Sequence, residues 1–214
     1  MNDTSRPPTP IAVWLLTGFT VAAYAAFTLA PVGAQNAVDY AFALIPERFH
    51  AGSEYRFEHW YETFGPIFGH AFLHTGWMHL AVNAFFLFGA SRLPALRLGA
   101  VRYLVVYFWA VAVSALTFLA LNWNEQSSAV GASGGVCGMI TAFFLSLRPT
   151  WREALADPRV RGPLAVLFFL NVVVLGVLAE AGIVQISWEG HLGGFIGGGV
   201  AYTLLQRPAP LKPA

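Results

Sequence analysis

Apolar residues along the chain gather into six stretches, at residues 11–30, 66–90, 103–121, 133–147, 164–181 and 189–205, separated by polar or turn-rich connections. Most approach the roughly 20 residues that a helix rising 1.5 Å per residue needs to cross about 30 Å of hydrocarbon. The pattern predicts an all-α membrane protein with six transmembrane helices. One membrane domain is expected over residues 11–206, flanked by a cytoplasmic tail at 1–10 and a C-terminal tail at 207–214. The first stretch is followed by Val32-Gly33-Ala34, which has the look of a signal-peptidase site. Its apolar run exceeds the 7–15 residues usual for a signal core, so it is read as a spanning helix.

The basic residues give an orientation, because Lys and Arg near helix ends resist translocation. Of 12 in the chain, ten fall in alternate connections: Arg6; Arg92, Arg97 and Arg102; Arg148, Arg152, Arg159 and Arg161; Arg207 and Lys212. Only Arg48 and Arg56 lie in the others. That alternation predicts six spans with both termini in the cytoplasm. The long connection 31–65 mixes Phe42, Phe49, Tyr55, Phe57, Trp60, Tyr61 and Phe64 with Glu47, Glu54, Glu58 and Glu62. Amphipathic rings among carboxylates suit the headgroup region, so short interfacial helices are expected in this first outer loop.

Composition narrows the functions. The chain is 57% hydrophobic and 11% charged, far below the quarter or so of charged residues in a soluble domain. With a net charge of +1 and no basic run, it is not expected to bind nucleic acid. A single cysteine, Cys137, excludes an internal disulfide framework, and its apolar neighbours predict an inert buried thiol. Ala, Gly, Pro and Arg usage with one Lys fits a GC-rich bacterial genome, and hence a bacterial plasma (inner) membrane.

Polar groups within spans are costly and mark packing or function. The second stretch carries His70, His74, His79 and Asn83, and the spacing of His79 and Asn83 puts both on one helix face. The fourth opens Gly131-Ala132-Ser133-Gly134-Gly135-Val136-Cys137-Gly138. From Ser133 to Leu147 it offers fifteen residues, about 22 Å of helix, too short for the bilayer. Ser133 is thus expected on the order of 10 Å below the outer boundary. The irregular stretch from Asn122 to Ala132 must descend to it through protein or a wet cavity. The sixth reads Trp188-Glu189-Gly190-His191-Leu192-Gly193-Gly194, and Gly190, Gly194 and Gly198 form a small-residue stripe. Gly131 with Gly135, and Gly134 with Gly138, repeat that spacing in the fourth. Such stripes let helix backbones approach closely, and pairing them would bring Ser133 beside His191.

These residues together resemble the rhomboid family of intramembrane serine proteases. The matching motifs are His74-x4-His79-x3-Asn83, Gly131-x-Ser133-Gly134 and Gly190-His191-x-Gly193-Gly194, in the family's order over residues 70–199. The resemblance implies a six-helix rhomboid-like bundle and a serine endopeptidase acting on single-span or other membrane-protein substrates. It assigns Ser133 as nucleophile and His191 as general base and acid, with His79, Asn83 and the Ser133 N–H in the oxyanion hole. His74, Gly131 and Gly134 are implied as supporting residues, and no metal or other cofactor is expected. The fifth helix and the loop to Trp188 would be the lateral gate.

Glu189, two residues from His191, would point away from it on a helix, so a two-residue mechanism is favoured over a triad. Three departures from the family pattern stand out. Tyr61 follows Trp60 where Arg is frequent, Cys137 replaces an aromatic that stacks on the histidine, and Gly190 stands where Ala is common. His70, His50 and His59 are read as structural or interfacial. Two rival readings keep the same residues: an inactive client-binding member of the family, and a small transporter with the histidines as a proton relay.

Overall fold

The computed structural model describes residues 7–125 and 127–206. The tails expected at 1–10 and 207–214 lie wholly or largely outside them, as do Arg6, Arg207 and Lys212. Of the described residues 76% are helical, and none of them forms a strand. Helix α1 (Ile11–Leu29) follows Pro10, and α2 (Val32–Phe42) follows Pro31. Pro fixes φ near the helical value and lacks the N–H that a helix start cannot use. Then come α3 (Phe64–Gly69), α4 (Trp77–Leu98), α5 (Ala100–Leu121) and α6 (Ser133–Leu145). After α7 (Trp151–Ala156), helix α8 (Pro158–Phe168) passes through a π turn, Phe169–Val174, into α9 (Leu175–Glu180). The last helix is α10 (Trp188–Leu205).

Helix α6 is the axis. It is packed by α4, α5 and α10, and every residue from Gly134 to Ala142 is buried. Helix α1 leans on α4, while the α8–α9 segment lies at the rim and is barely covered by protein. Large apolar side chains such as Phe85, Val101 and Leu204 are more than two-thirds exposed, as a lipid-facing surface requires.

By length and apolarity, Ile11–Leu29, Ala100–Leu121 and Pro158–Glu180 could each cross a membrane. The second apolar stretch, expected as one helix over 66–90, is broken instead. The segments Trp60–Phe72 and Trp77–Leu98 meet at 89°. Leu73 is extended at φ −93° and ψ 149°. The reason is an exchange of hydrogen bonds. The His70 carbonyl, which a continuing helix would spend on residue 74, accepts the Gly131 N–H at 2.8 Å. The His74 ring takes the Ala132 N–H at 3.4 Å. His70 and His74 therefore precede α4, and only His79 and Asn83 ride on it.

The first loop packs around Arg48. Arg48 is 7% exposed, and its guanidinium sits 4.0 Å from the Tyr40 ring and 4.1 Å from the Phe57 ring and donates to the Tyr40 carbonyl. Trp60, by contrast, is 75% exposed. A cation flanked by two π faces suits a site where water is scarce.

At the opposite end, Asp157 caps α8. Its Oδ1 accepts the Arg159 N–H at 2.9 Å and its Oδ2 accepts the Arg148 guanidinium. The Arg159 N–H, and after it Arg148, hold this carboxyl below the usual carboxylate range. A lowered folded-state pKa contributes stability above the unfolded value of about 3.9, which is lost as pH falls through the folded value. Asp157→Ala should therefore lower the thermal midpoint of the solubilised protein at pH 7. Scans at successively lower pH should show that deficit shrinking below about pH 4. A deficit independent of pH would contradict the assignment.

Candidate active site

The site starts from three helices, of which α6 and α10 meet backbone to backbone while α5 packs short side chains against both. A Cβ placed on Gly194 would lie 2.1 Å from the Gly134 carbonyl oxygen, and one on Gly198 would lie 2.2 Å from Gly138 Cα. Side chains are impossible at such a crossing. The glycine stripes of α6 and α10 thus face each other, Gly194 against Gly134 and Gly198 against Gly138. A second glycine face of α10 lies on α5. Cβ atoms on Gly193 and Gly197 would fall 2.5 Å from Thr117 Oγ1 and 2.7 Å from Val113 Cβ. From α5, Ser114 also reaches under Gly134, where Oγ would be 2.0 Å from an added Cβ. The sequence pattern pointed to the α6–α10 pair and missed α5, whose contribution is a row of small residues without glycines.

Ser133 is the first residue of α6, so its N–H is one of the donors that a helix start leaves without a helical partner. His191 lies in the first turn of α10 and is 7% exposed. Ser187 caps that helix, accepting the Gly190 N–H at 3.2 Å. The Gly190 carbonyl is 3.4 Å from a Cβ on Gly134, so the residues next to Ser133 and His191 are in contact. Among the described residues, Ser133 and His191 are not hydrogen-bonded to each other. The His191 Nδ1 instead faces the Asn171 carbonyl at 3.3 Å.

Gly131 has φ +127°, a conformation suited to glycine, and carries the loop against α4. A Cβ there would lie 2.9 Å from His79 Nε2 and 3.9 Å from Asn83 Nδ2. The other ring nitrogen of His79 is placed by Thr75, whose N–H approaches Nδ1 at 3.4 Å and whose hydroxyl lies at 3.1 Å. A backbone N–H only donates, so Nδ1 accepts and the neutral ring carries its proton on Nε2. That N–H is on the side of the Gly131–Ser133 loop. Asn83 is buried on the same face one turn on. His74 is buried, holds the Ala132 N–H, and stacks edge-on against His79 with centroids 5.0 Å apart.

Glu189 is turned elsewhere: Oε1 accepts from Asn122 Nδ2 at 2.9 Å and Oε2 from the Ser187 hydroxyl at 3.4 Å. Cys137 is buried, at 2% exposed. A cavity of about 20 Å³ lies beside Ser133, bordered by His70, Ser114, Ser187 and the Gly131 backbone. That is room for one water with several polar partners. His70 and Ser114 thus belong to the surroundings of the site. The signal for Ser114 was a hydroxyl in the middle of an apolar stretch; for His70, no sequence feature separates it from a structural histidine.

The family model of the Rhomboid domain matches residues 58–208. That covers well over half of the chain, which therefore belongs to the rhomboid family, a family of intramembrane serine proteases, and is an integral multi-pass membrane protein. The chain is also 31% identical over 166 residues to uncharacterized proteins of Mycobacterium bovis and Mycobacterium tuberculosis. The match covers 70% of this chain but 60% of those relatives, so the chain spans less than two-thirds of their length.

The crossing should respond sharply to added volume. Gly194→Ala, forced onto the Gly134 carbonyl, should cost about 1–3 kcal/mol. Gly18→Ala in α1, with nothing within 4 Å, should be neutral or slightly stabilising. Unfolding of both variants in mild detergent measures the difference.

Proposed function

We propose that this protein is an intramembrane serine endopeptidase working through a Ser133–His191 dyad. It would hydrolyse peptide bonds in or near transmembrane segments of single-span or other membrane proteins. The observation that carries the reading is the glycine-to-glycine crossing of α6 and α10, which puts the segments bearing Ser133 and His191 in contact. The same loop runs past His79 and Asn83. In this reading the chain crosses a bacterial inner membrane six times, with both termini cytoplasmic. Helix α6, 13 residues long, is short because it starts inside the bilayer.

The chemistry follows from the groups present. The His191 Nε2 takes the proton of the Ser133 hydroxyl as Oγ attacks the scissile carbonyl carbon, since an unassisted serine is a weak nucleophile. In this reading the developing oxyanion would be met by His79 Nε2–H, the Asn83 amide and the Ser133 N–H, since the charge needs donors oriented before it appears. His191 returns the proton to the leaving amine, giving an acyl-enzyme. Water, activated by the same nitrogen, then attacks the ester and releases the acid and the Ser133 hydroxyl. A substrate helix must unwind locally first, because an intact helix satisfies its own backbone bonds and hides its carbonyl carbons.

A fluorophosphonate probe tests this without knowledge of the substrate. Labelling of the solubilised wild type, abolished in Ser133→Ala and in His191→Ala, is the expected result. Absence of wild-type labelling across pH 6–9 would sink the proposal. His79→Ala and Asn83→Ala should each slow turnover of a single-span test substrate on the order of 10²–10³-fold. A loss below threefold in both would remove them from the oxyanion hole.

A further inference from the structure

The imidazole of a Ser–His pair needs an orienting partner, because a ring free to flip or change tautomer presents its lone pair to serine only part of the time. Glu189 is engaged with Asn122 and Ser187, and Cys137 offers no aromatic surface. What does face the ring is the main-chain carbonyl of Asn171, 3.3 Å from His191 Nδ1. A carbonyl has lone pairs and no proton. The contact therefore requires Nδ1–H, and a neutral ring protonated there bears its lone pair on Nε2.

The helix geometry explains why that carbonyl is available. In an α-helix the carbonyl of residue 171 would accept the N–H of residue 175. Here the chain follows a π turn over Phe169–Val174, and the Leu175 N–H goes to Leu170 instead. Asn171 thereby loses its helical donor. In a span with little water, a carbonyl so released is costly unless another donor takes it. The side chain of the same residue completes the arrangement, as Nδ2 donates to the Leu167 carbonyl at 2.9 Å, one turn back. Asn171 is the one amide in an otherwise apolar run, Phe168-Phe169-Leu170-Asn171-Val172-Val173-Val174. π turns recur at functional sites.

We infer that Asn171 is a positioning residue for the dyad. Its side chain holds the π turn, and the carbonyl so freed fixes His191 as the Nδ1–H tautomer with Nε2 bare towards Ser133. The inference rests on the Ser–His reading above and supplies the orienting partner that a missing third side chain would otherwise provide.

The test is ¹⁵N NMR of the full chain in nanodiscs with labelled histidine. The His191 signals are identified by their loss in His191→Gln, at a pH where the ring is neutral. The wild type should show a protonated, pyrrole-type Nδ1 and a pyridine-type Nε2. In Asn171→Leu that preference should be lost, and fluorophosphonate labelling of Ser133 should slow about 10-fold or more. In Asn171→Thr both should recover, because a hydroxyl can donate to the carbonyl four residues back, as Thr20 does to Leu16 at 2.9 Å. A wild-type His191 protonated on Nε2 overturns the inference. So does an Asn171→Leu that labels slowly with its tautomer unchanged, which would be a packing effect alone. A wild type with the expected tautomer but no labelling supports the Asn171 contact and removes the protease reading instead.

Discussion

Contact between bare backbones is the constraint on which the rest depends. Lipid tails are as apolar as leucine, so helices in a membrane gain little by hiding apolar side chains from it, and close packing must hold them. Helix α10 meets α6 through Gly194 and Gly198 and meets α5 through Gly193 and Gly197. Two glycine faces on one helix make it a wedge between two partners. Any Cβ on those faces would separate the helices, and with them the turns that carry Ser133 and His191. Packing and the proposed chemistry thus depend on the same residues.

A second constraint is hydrogen-bond accounting. The loop before α6 is irregular, and its polar backbone must be satisfied by something other than helix. The protein solves this by breaking its own second apolar stretch. The carbonyl and the ring freed around His70 and His74 take the Gly131 and Ala132 N–H groups, while Leu44 and Ala129 exchange a pair of backbone bonds 3.0 Å long. The 89° bend is therefore the other half of the loop's support.

Much of this was legible in the sequence, and the part that was not has a common cause. Stretches 103–121 and 189–205 became α5 and α10 with ends moved by at most three residues, because periodic apolar runs specify helices locally. The small-residue stripes gave the α6–α10 contact. The break at residues 73–76 was missed because its driving force is a bond to residues 131 and 132, far along the chain and invisible to a local pattern. Ser114 and the α5 contact were missed because small residues without glycine spacing look like ordinary apolar helix. The π turn was missed because one extra residue in a helix leaves apolarity intact; only the isolated Asn171 marked it.

The histidines show how the fold can give one side chain opposite duties. His79 meets a main-chain donor, the Thr75 N–H, at Nδ1, while His191 meets a main-chain acceptor, the Asn171 carbonyl, at the same atom. The first partner forces the proton to Nε2, making that nitrogen a donor; the second keeps the proton on Nδ1, leaving Nε2 a base. The proposed reaction needs both, since an oxyanion must be met by a proton and a serine hydroxyl by a lone pair. No carboxylate is required to set either ring. Both partners come from places where helical bonding lapses, the non-helical turn before α4 and the π turn between α8 and α9, and such backbone is the material a membrane protein has for orienting side chains when buried charge is too costly to use.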